Sequence, residues 1–302
     1  MEGVKQMLTI QNVHKTIEKK SILTAISFTQ NLGEIIGLVG RNGVGKSTLL
    51  RCIAGSYQLD DGQVLIDQTD VAVQPEMRTQ LFYLDEAHLF FKGNQLLQIG
   101  RYYAQAYPDF DTDQLTDLLA MYHLDGHQRY QQMSKGMQGL FNIILAVCSH
   151  ARYLLLDEPF DGLDVIVRKN IIRLLLDHVG QTQTAVLITS HNLVELDQLI
   201  DRTLILKETK IIKDYQLEQL RQTDRKLQIV LKTNTIPALF KEAGRVLSVS
   251  GRVMVVYFPN YSDELAAQIQ AYEPVLCESL PITLEDLFEA NLVTEEDYQV
   301  FI

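Results

Sequence analysis

A lysine followed by two hydroxyl residues closes the run Gly40-Arg41-Asn42-Gly43-Val44-Gly45-Lys46-Ser47-Thr48, which fits the pattern G-x-x-x-x-G-K-[ST]. The chemistry this spacing serves is the cradling of a phosphate chain. Glycines let consecutive backbone N–H groups turn inward on an anion, and the N-terminus of a following helix adds partial positive charge. Lys46 is then placed to reach the β- and γ-phosphates, and the Ser47 hydroxyl to ligate Mg²⁺. Lys46 is expected to be an exposed loop cation with no structural partner in the absence of phosphate. A second reactive group, Asp157-Glu158, follows the apolar run Tyr153-Leu154-Leu155-Leu156. Asp157 can hold Mg²⁺ through water, and Glu158 stands where a base would polarise an attacking water. His191 comes directly after another apolar run, at Thr189-Ser190-His191, and is a candidate for contacting the γ-phosphate.

The elements that must position these groups are legible around them. Ile35, Ile36, Leu38 and Val39 form an apolar strand entering the phosphate loop, and Leu49, Leu50 and Ile53 form a helical run leaving it, stopped by Gly55. Leu8–Ile10, Ile22–Phe28 and Gln63–Ile66 read as strands of a small antiparallel layer, with turn signals at Asn31-Leu32-Gly33 and Asp60-Asp61-Gly62. From about Gln95 to Ala151 the periodicity is helical, with Leu115, Leu118 and Leu119 on one face and Ile143, Ile144 and Val147 on another. The fully apolar strands Tyr153–Leu156 and Ala185–Ile188 flank a helical run, Val167–Val179. Such alternation implies a parallel sheet covered on both faces, whose strand ends face a ligand crevice.

After Tyr215 the pattern changes. Strand Leu227–Lys232, helix Ala238–Ala243, a hairpin Val246–Phe258 turning at Ser250-Gly251, helix Asp263–Ala271 and strand Val275–Ser279 follow in turn. This βαββαβ order is that of the ferredoxin-like arrangement. A last helix opens at Thr283, with a capping box closed by Asp286.

Composition narrows the class. The 302 residues are 46% hydrophobic, enough to bury one large or two modest cores. A net charge of −11, from 27 basic and 38 acidic residues, argues against nonspecific attraction to nucleic acid or anionic lipid. Cys52, Cys148 and Cys277 are far apart, with neither C-x-x-C spacing nor a His pair beside them, and read as small buried hydrophobes of a reducing compartment. Met1 to Lys15 carries no apolar h-region, and no apolar run approaches the ~18–20 residues a membrane helix needs. The expectation is a soluble, cytoplasmic protein.

In this order these segments resemble the ATP-binding subunit of an ATP-binding cassette (ABC) transporter, over about Leu8 to Tyr215. The specific element is Met133-Ser134-Lys135-Gly136-Met137, similar to the family's signature motif, usually L-S-G-G-Q, of which S-K-G-M is a recurrent variant. The resemblance implies a P-loop α/β fold over residues 1–215, with a helical subdomain at about 87–150; the strand and helix pattern beyond it gives an accessory α+β domain over 216–302. It implies ATP and Mg²⁺ as ligands. Ser134, Gly136 and Met137 would meet the γ-phosphate of ATP held by a second ATPase subunit, Asp164 would be the D-loop aspartate, and His191 the switch histidine.

Three departures stand out. Ile17 occupies the place where the family usually stacks an aromatic residue on adenine, with His14 as a nearby substitute; loss of the stack costs about 0.5–1.5 kcal/mol. Glu86 falls at the Q-loop glutamine position, where it could ligate Mg²⁺ but adds charge. Gly139 and Leu140 replace the usual Gln and Arg of the signature helix.

The implied function is a transport motor that closes on two ATP and drives a separate transmembrane permease. The chain would then lie on the inner face of the cell membrane, with the helical region between Glu86 and Met133 as the docking surface. The tail Leu280-Pro281-Ile282-Thr283-Leu284-Glu285-Asp286-Leu287-Phe288 resembles that of exporter subunits, pointing to export of a drug, peptide or lipid-like compound. The alternative is a soluble family member acting on ribosomes or DNA; a single cassette, an acidic balance and no heptad tract weigh against it. The last domain could also sense a small molecule or simply widen the dimer.

Overall fold

The computed structural model describes residues 6–85, 91–191 and 193–292. It forms two compact units. The first runs to His191 and takes in Leu199–Asp214; the second comprises the segment up to Gln198 and everything from Tyr215. A single cut after residue 215 therefore differs from this division by the short segment before Leu199 and by Tyr215.

The first unit begins with β1 (Met7–Ile17), β2 (Lys20–Asn31), β3 (Ile35–Val39), α1 (Lys46–Ile53), β4 (Asp61–Ile66), β5 (Thr69–Asp70) and β6 (Leu81–Tyr83). It continues with α2 (Leu96–Ala106), α3 (Thr112–Met121), α4 (Lys135–Cys148), β7 (Tyr153–Asp157), α5 (Val165–Thr182) and β8 (Ala185–Thr189). After α6 (Leu193–Leu196), which belongs to the second unit, come β9 (Arg202–Lys207) and β10 (Lys210–Gln216). Strands β2-β1-β4-β5 make one sheet, and β10-β9-β3-β8-β7-β6 the other. In the second sheet β3 pairs in parallel with β8 and β9, and β7 with β8 and β6. All five residues of β3 and of β8 are buried, as expected of central strands covered on both faces. The carboxyl ends of β3, β8 and β7 consequently lie side by side on one sheet edge.

Aromatic rings tie the helical region to that edge. Phe82 of β6 meets Tyr103 and Tyr107 of α2 at ring-centroid distances of 5.8 and 5.6 Å, and the Tyr107 hydroxyl donates to the Leu81 carbonyl at 3.1 Å. Tyr130 then contacts Phe91 at 5.3 Å and Phe141 of α4 at 6.1 Å. Each such ring pair contributes about 0.5–1.5 kcal/mol beyond its buried area. Every residue of α4 from Leu140 to Cys148 is buried, so that stretch is fixed on all sides. Cys52 and Cys148 are buried, and burial pushes their thiols up to about 11 and about 12. Cys277 is only half-buried, packed at the margin of the second unit's core, which corrects its reading as a fully buried hydrophobe.

In the second unit α7 (Leu217–Thr223) is followed by β11 (Arg225–Val230), α8 (Ala238–Glu242), β12 (Arg245–Ser250), β13 (Val253–Phe258), α9 (Asp263–Gln270), β14 (Leu276–Leu280) and α10 (Leu284–Leu292). The sheet order β12-β13-β11-β14, antiparallel throughout, is the ferredoxin-like one. The sequence reading places every one of these elements except α7, whose two buried residues, Leu217 and Leu220, are too few to stand out as a periodicity. The capping box forms: Thr283 N–H and hydroxyl both donate to Asp286 Oδ2, at 2.7 and 2.8 Å, and Asp286 N–H donates to Thr283 Oγ1 at 3.4 Å. Asp286 also accepts Lys226 Nζ at 2.8 Å, with the two side chains 9% and 17% exposed. Asp286→Ala removes a helix cap and strands a mostly buried ammonium, so the second unit should lose about 2–4 kcal/mol. Hydrogen exchange through β11 and α10 measures this; protection equal to wild type would show that the pair adds nothing.

Candidate nucleotide site

The phosphate loop leaves β3 at Gly40 and enters α1 at Lys46. Arg41, Asn42 and Gly43 are exposed at its tip, and Val44, Ser47 and Thr48 are half-buried. Gly45 is the N-terminal cap of α1 at φ +115°, a conformation that L side chains rarely adopt, and its carbonyl accepts the Leu49 N–H at 2.9 Å. Backbone N–H groups at the start of α1 have no earlier turn to donate to, which is what an anion requires.

Lys46 departs from expectation. It is buried, 6% exposed, and its Nζ donates to the Gly40 carbonyl at 2.9 Å and lies 3.6 Å from Glu158 Oε1. The lysine thus closes its own loop and meets a carboxylate from the end of β7, one strand beyond the β8 that neighbours β3. The sequence pattern could not show this, because the meeting depends on the order β3-β8-β7 in the sheet.

Glu158 is held from three directions. Its N–H donates to the Thr189 carbonyl at 3.1 Å and to Thr189 Oγ1 at 2.9 Å. Its Oε2 accepts the His191 N–H at 2.9 Å and His191 Nδ1–H at 2.8 Å. The backbone there is left-handed, φ +49°, a costly conformation for a glutamate. Thr189 also donates its hydroxyl to Asp157 Oδ1 at 2.7 Å. One threonine therefore holds the Asp157 carboxylate and the Glu158 backbone. Sequence reasoning passed over it as the last residue of an apolar run, and the signal lies in the strand register, where Asp157 pairs with Thr189. Close by, burial pushes the Tyr83 phenol up to about 12, with the charge of Asp157 the next cause.

Lys46, Glu158 and His191 are thus joined directly, Asp157 joins them through Thr189, and Ser47 is the next residue along α1. Ser134, Gly136 and Met137 are assembled elsewhere. Ser134 caps α4, its Oγ accepting the Met137 N–H at 3.2 Å. Gly136 faces the segment that opens α5, where a Cβ would come within 3.8 Å of Asp164 Oδ2 and 3.5 Å of Val167. Asp164 caps α5 by accepting the N–H groups of Ile166 and Val167 at 2.8 and 3.0 Å. Gly139 and Leu140 meet the interior, Gly139 toward Leu163 and Leu140 within the buried stretch of α4. Glu86 lies outside the described residues; its neighbour Asp85 pairs with Arg51 at 3.2 Å. Ile17 is the half-buried last residue of β1, paired with Lys20, and His14 Nε2 is 3.3 Å from Asn12 Oδ1.

A central parallel sheet, a phosphate loop capped by a helix, and an acidic strand end beside it define a P-loop nucleoside triphosphatase. Residues 23–161 match the model of the ABC transporter family. Over 285 residues the chain is 28% identical to the ABC transporter ATP-binding protein YtrB of Bacillus subtilis, covering 94% of this chain and 98% of that one. It is 30% identical to the lipopolysaccharide export system ATP-binding protein LptB of Escherichia coli (68% and 88% covered). Against the sulfate/thiosulfate import ATP-binding protein CysA of Xylella fastidiosa it is also 30% identical (68% and 61% covered). The solved structure of an ATP binding subunit of an ABC transporter superposes with a TM-score of 0.65 at 24% identity, covering 72% of this chain and 92% of that one, which shows the shared fold. The chain belongs to the ABC transporter family of ATP-binding proteins, and it is an ATPase. Among the described residues no helix is long and apolar enough to cross a membrane.

Removing Lys46 leaves the Glu158 carboxylate, three-quarters buried, without its ammonium partner. Lys46→Ala should therefore lower the stability of the nucleotide-free protein by about 1–3 kcal/mol, in addition to abolishing nucleotide binding. The double variant Lys46→Ala/Glu158→Ala should recover part of that loss. Denaturant titration of the three proteins tests the pairing, and strictly additive losses would show that the two side chains do not interact.

Proposed function

We propose that this chain is the motor subunit of a transporter: two copies close around two ATP, and the motion drives a separate transmembrane permease. The observation that carries the reading is the convergence of Lys46, Glu158 and His191 at one sheet edge, next to Ser47 and Asp157. Gly40 to Thr48 would wrap the phosphates, with Lys46 on the β- and γ-phosphates. The Ser47 hydroxyl and the Asp157 carboxylate are hard oxygen donors that suit Mg²⁺, and Glu86 is the further candidate. The ion would neutralise charge on the phosphates. Glu158 would act as the base toward water, with His191 orienting its carboxylate. Ser134, Gly136 and Met137, at the exposed start of α4, would meet the γ-phosphate held by the second copy.

The chain would then sit peripherally on the inner face of the cell membrane, through its permease. For direction, the tail Leu280–Phe288 and the export system relative support outward movement of a drug, peptide or lipid-like compound; the import relative shows that the cassette alone does not set direction.

Glu158→Gln should retain ATP binding, lose ~10²–10⁴-fold in steady-state hydrolysis, and accumulate as an ATP-bound dimer. Phosphate release and light scattering with Mg-ATP read both effects, and near-normal turnover would remove Glu158 from the base role. With its permease in inside-out vesicles, the wild-type pair should accumulate substrate inside when ATP is added outside. ATP-driven loss of preloaded substrate would reverse the assigned direction.

A further inference from the structure

Lys135 stands where the signature motif most often has glycine, and its side chain does not point at random. Its Nζ donates to Asp161 Oδ2 at 2.9 Å, although the two side chains are 61% and 53% exposed. Gly162 lies at φ +68°, and a Cβ there would come within 2.7 Å of Lys135 Nζ and 3.2 to 3.3 Å of its Cδ and Cε. The lysine stem therefore runs across a bare glycine to reach its carboxylate. Asp161 in turn belongs to the turn that starts at Glu158: its N–H donates to the Glu158 carbonyl at 3.0 Å. The Asp161 carboxyl is held below the usual range, first by the hydrogen bond from Lys135, and further by the charges of Lys135 and His191. One aspartate thus holds the signature lysine through its carboxylate and, through its N–H, the carbonyl of the Glu158 whose side chain is bonded to His191.

An exposed ion pair contributes little to folding stability. What distinguishes this one is the two motifs it connects, the signature turn and the turn that starts at Glu158. We propose that Lys135 and Asp161 form a positioning link, by which the state of the Glu158–His191 pair in one subunit's nucleotide site sets the placement of the signature motif that the same subunit presents to the other copy's ATP. The link rests on the reading that the signature motif serves a second copy. When Glu158 and His191 rearrange around a γ-phosphate, the turn from Glu158 to Asp164 shifts, and Lys135 carries the start of α4 with it. The two sites are then coupled through a chain of bonded groups rather than through the phosphate loop.

The test uses the full-length chain. Lys135→Asp and Asp161→Lys should each lower kcat at least fivefold and flatten a sigmoidal ATP dependence towards a hyperbolic one. The melting temperature of each, and the affinity of the dilute single subunit for a fluorescent ATP analogue, should stay at wild-type values within twofold for affinity. The swapped protein, Lys135→Asp/Asp161→Lys, should recover at least half of the lost kcat together with the sigmoidal response. A swap no better than the single variants overturns the link, as does an Asp161→Asn protein with wild-type rate and ATP dependence. A fall in melting temperature that accounts for the lost rate overturns it too. Failure of Glu158→Gln to dimerise on ATP overturns the two-copy reading itself; a protein that dimerises but is not rescued by the swap overturns the link alone.

Discussion

The parallel pairing of β7 with β8, in the register that sets Asp157 opposite Thr189, is the constraint on which the site depends. It brings a hydroxyl and a carbonyl from the same residue to the end of the neighbouring strand. The hydroxyl fixes Asp157, and both atoms take the Glu158 N–H. The Glu158 backbone then has to turn into the left-handed region, and that turn returns its side chain to His191. A slip of one residue in this register would send Thr189 to the opposite face of the sheet and dissolve the arrangement. Fully buried strands on both sides of the sheet make such a slip expensive, since every apolar side chain would change faces with it.

The second consequence of the sheet is electrostatic. Lys46 and Glu158 come from the ends of different elements, and the order β3-β8-β7 leaves only one strand between them. A buried ammonium needs a partner, and in this arrangement it has two, the Gly40 carbonyl and the Glu158 carboxylate. The carboxylate thereby supplies negative charge to the lysine that a phosphate would otherwise supply. Lys46 is thus held against Gly40 and Glu158 before any ligand arrives, and on the proposed reading an entering phosphate chain would exchange one anion for another around it while Glu158 keeps its bonds to His191. Pre-organisation of this kind spares the site the cost of ordering a flexible lysine at the moment of binding.

Local pattern carried much of this into the sequence. The strand–loop–helix around Gly40 to Thr48, the apolar runs ending in Asp157 and His191, and the hairpin-centred order of the second unit all consist of near neighbours in the chain. What escaped is non-local or small. The burial of Lys46 and the role of Thr189 depend on strand order and register, which periodicity does not encode. Helix α7 rests on two buried leucines. Lys135 and Asp161 are 26 residues apart, and neither is unusual in its own segment. Glu86 falls outside the described residues, so the Q-loop reading stands on sequence alone. Within the second unit the prediction was easier, because a capping box and a tight hairpin are legible from a handful of consecutive residues.

The burial pattern of α4 decides what kind of motion the signature motif can make. From Leu140 to Cys148 no residue faces solvent, and Phe141 is packed against Tyr130, which packs on Phe91, which contacts Tyr103 of α2. A side chain in such a core cannot slide by a fraction of a rotamer without moving its neighbours, because interiors are packed as densely as crystals. The exposed first turn, Lys135 and the residues beside it, joins this packed body through the helix backbone, Gln138 N–H donating to the Ser134 carbonyl at 3.0 Å. A displacement applied at Lys135 is passed along α4 to the aromatic cluster, and through it to α2 and the helical region as a body. On the proposed link, this packed element would convert a small change at Glu158 into movement of the helical region, with the ion pair at its start as the point of entry.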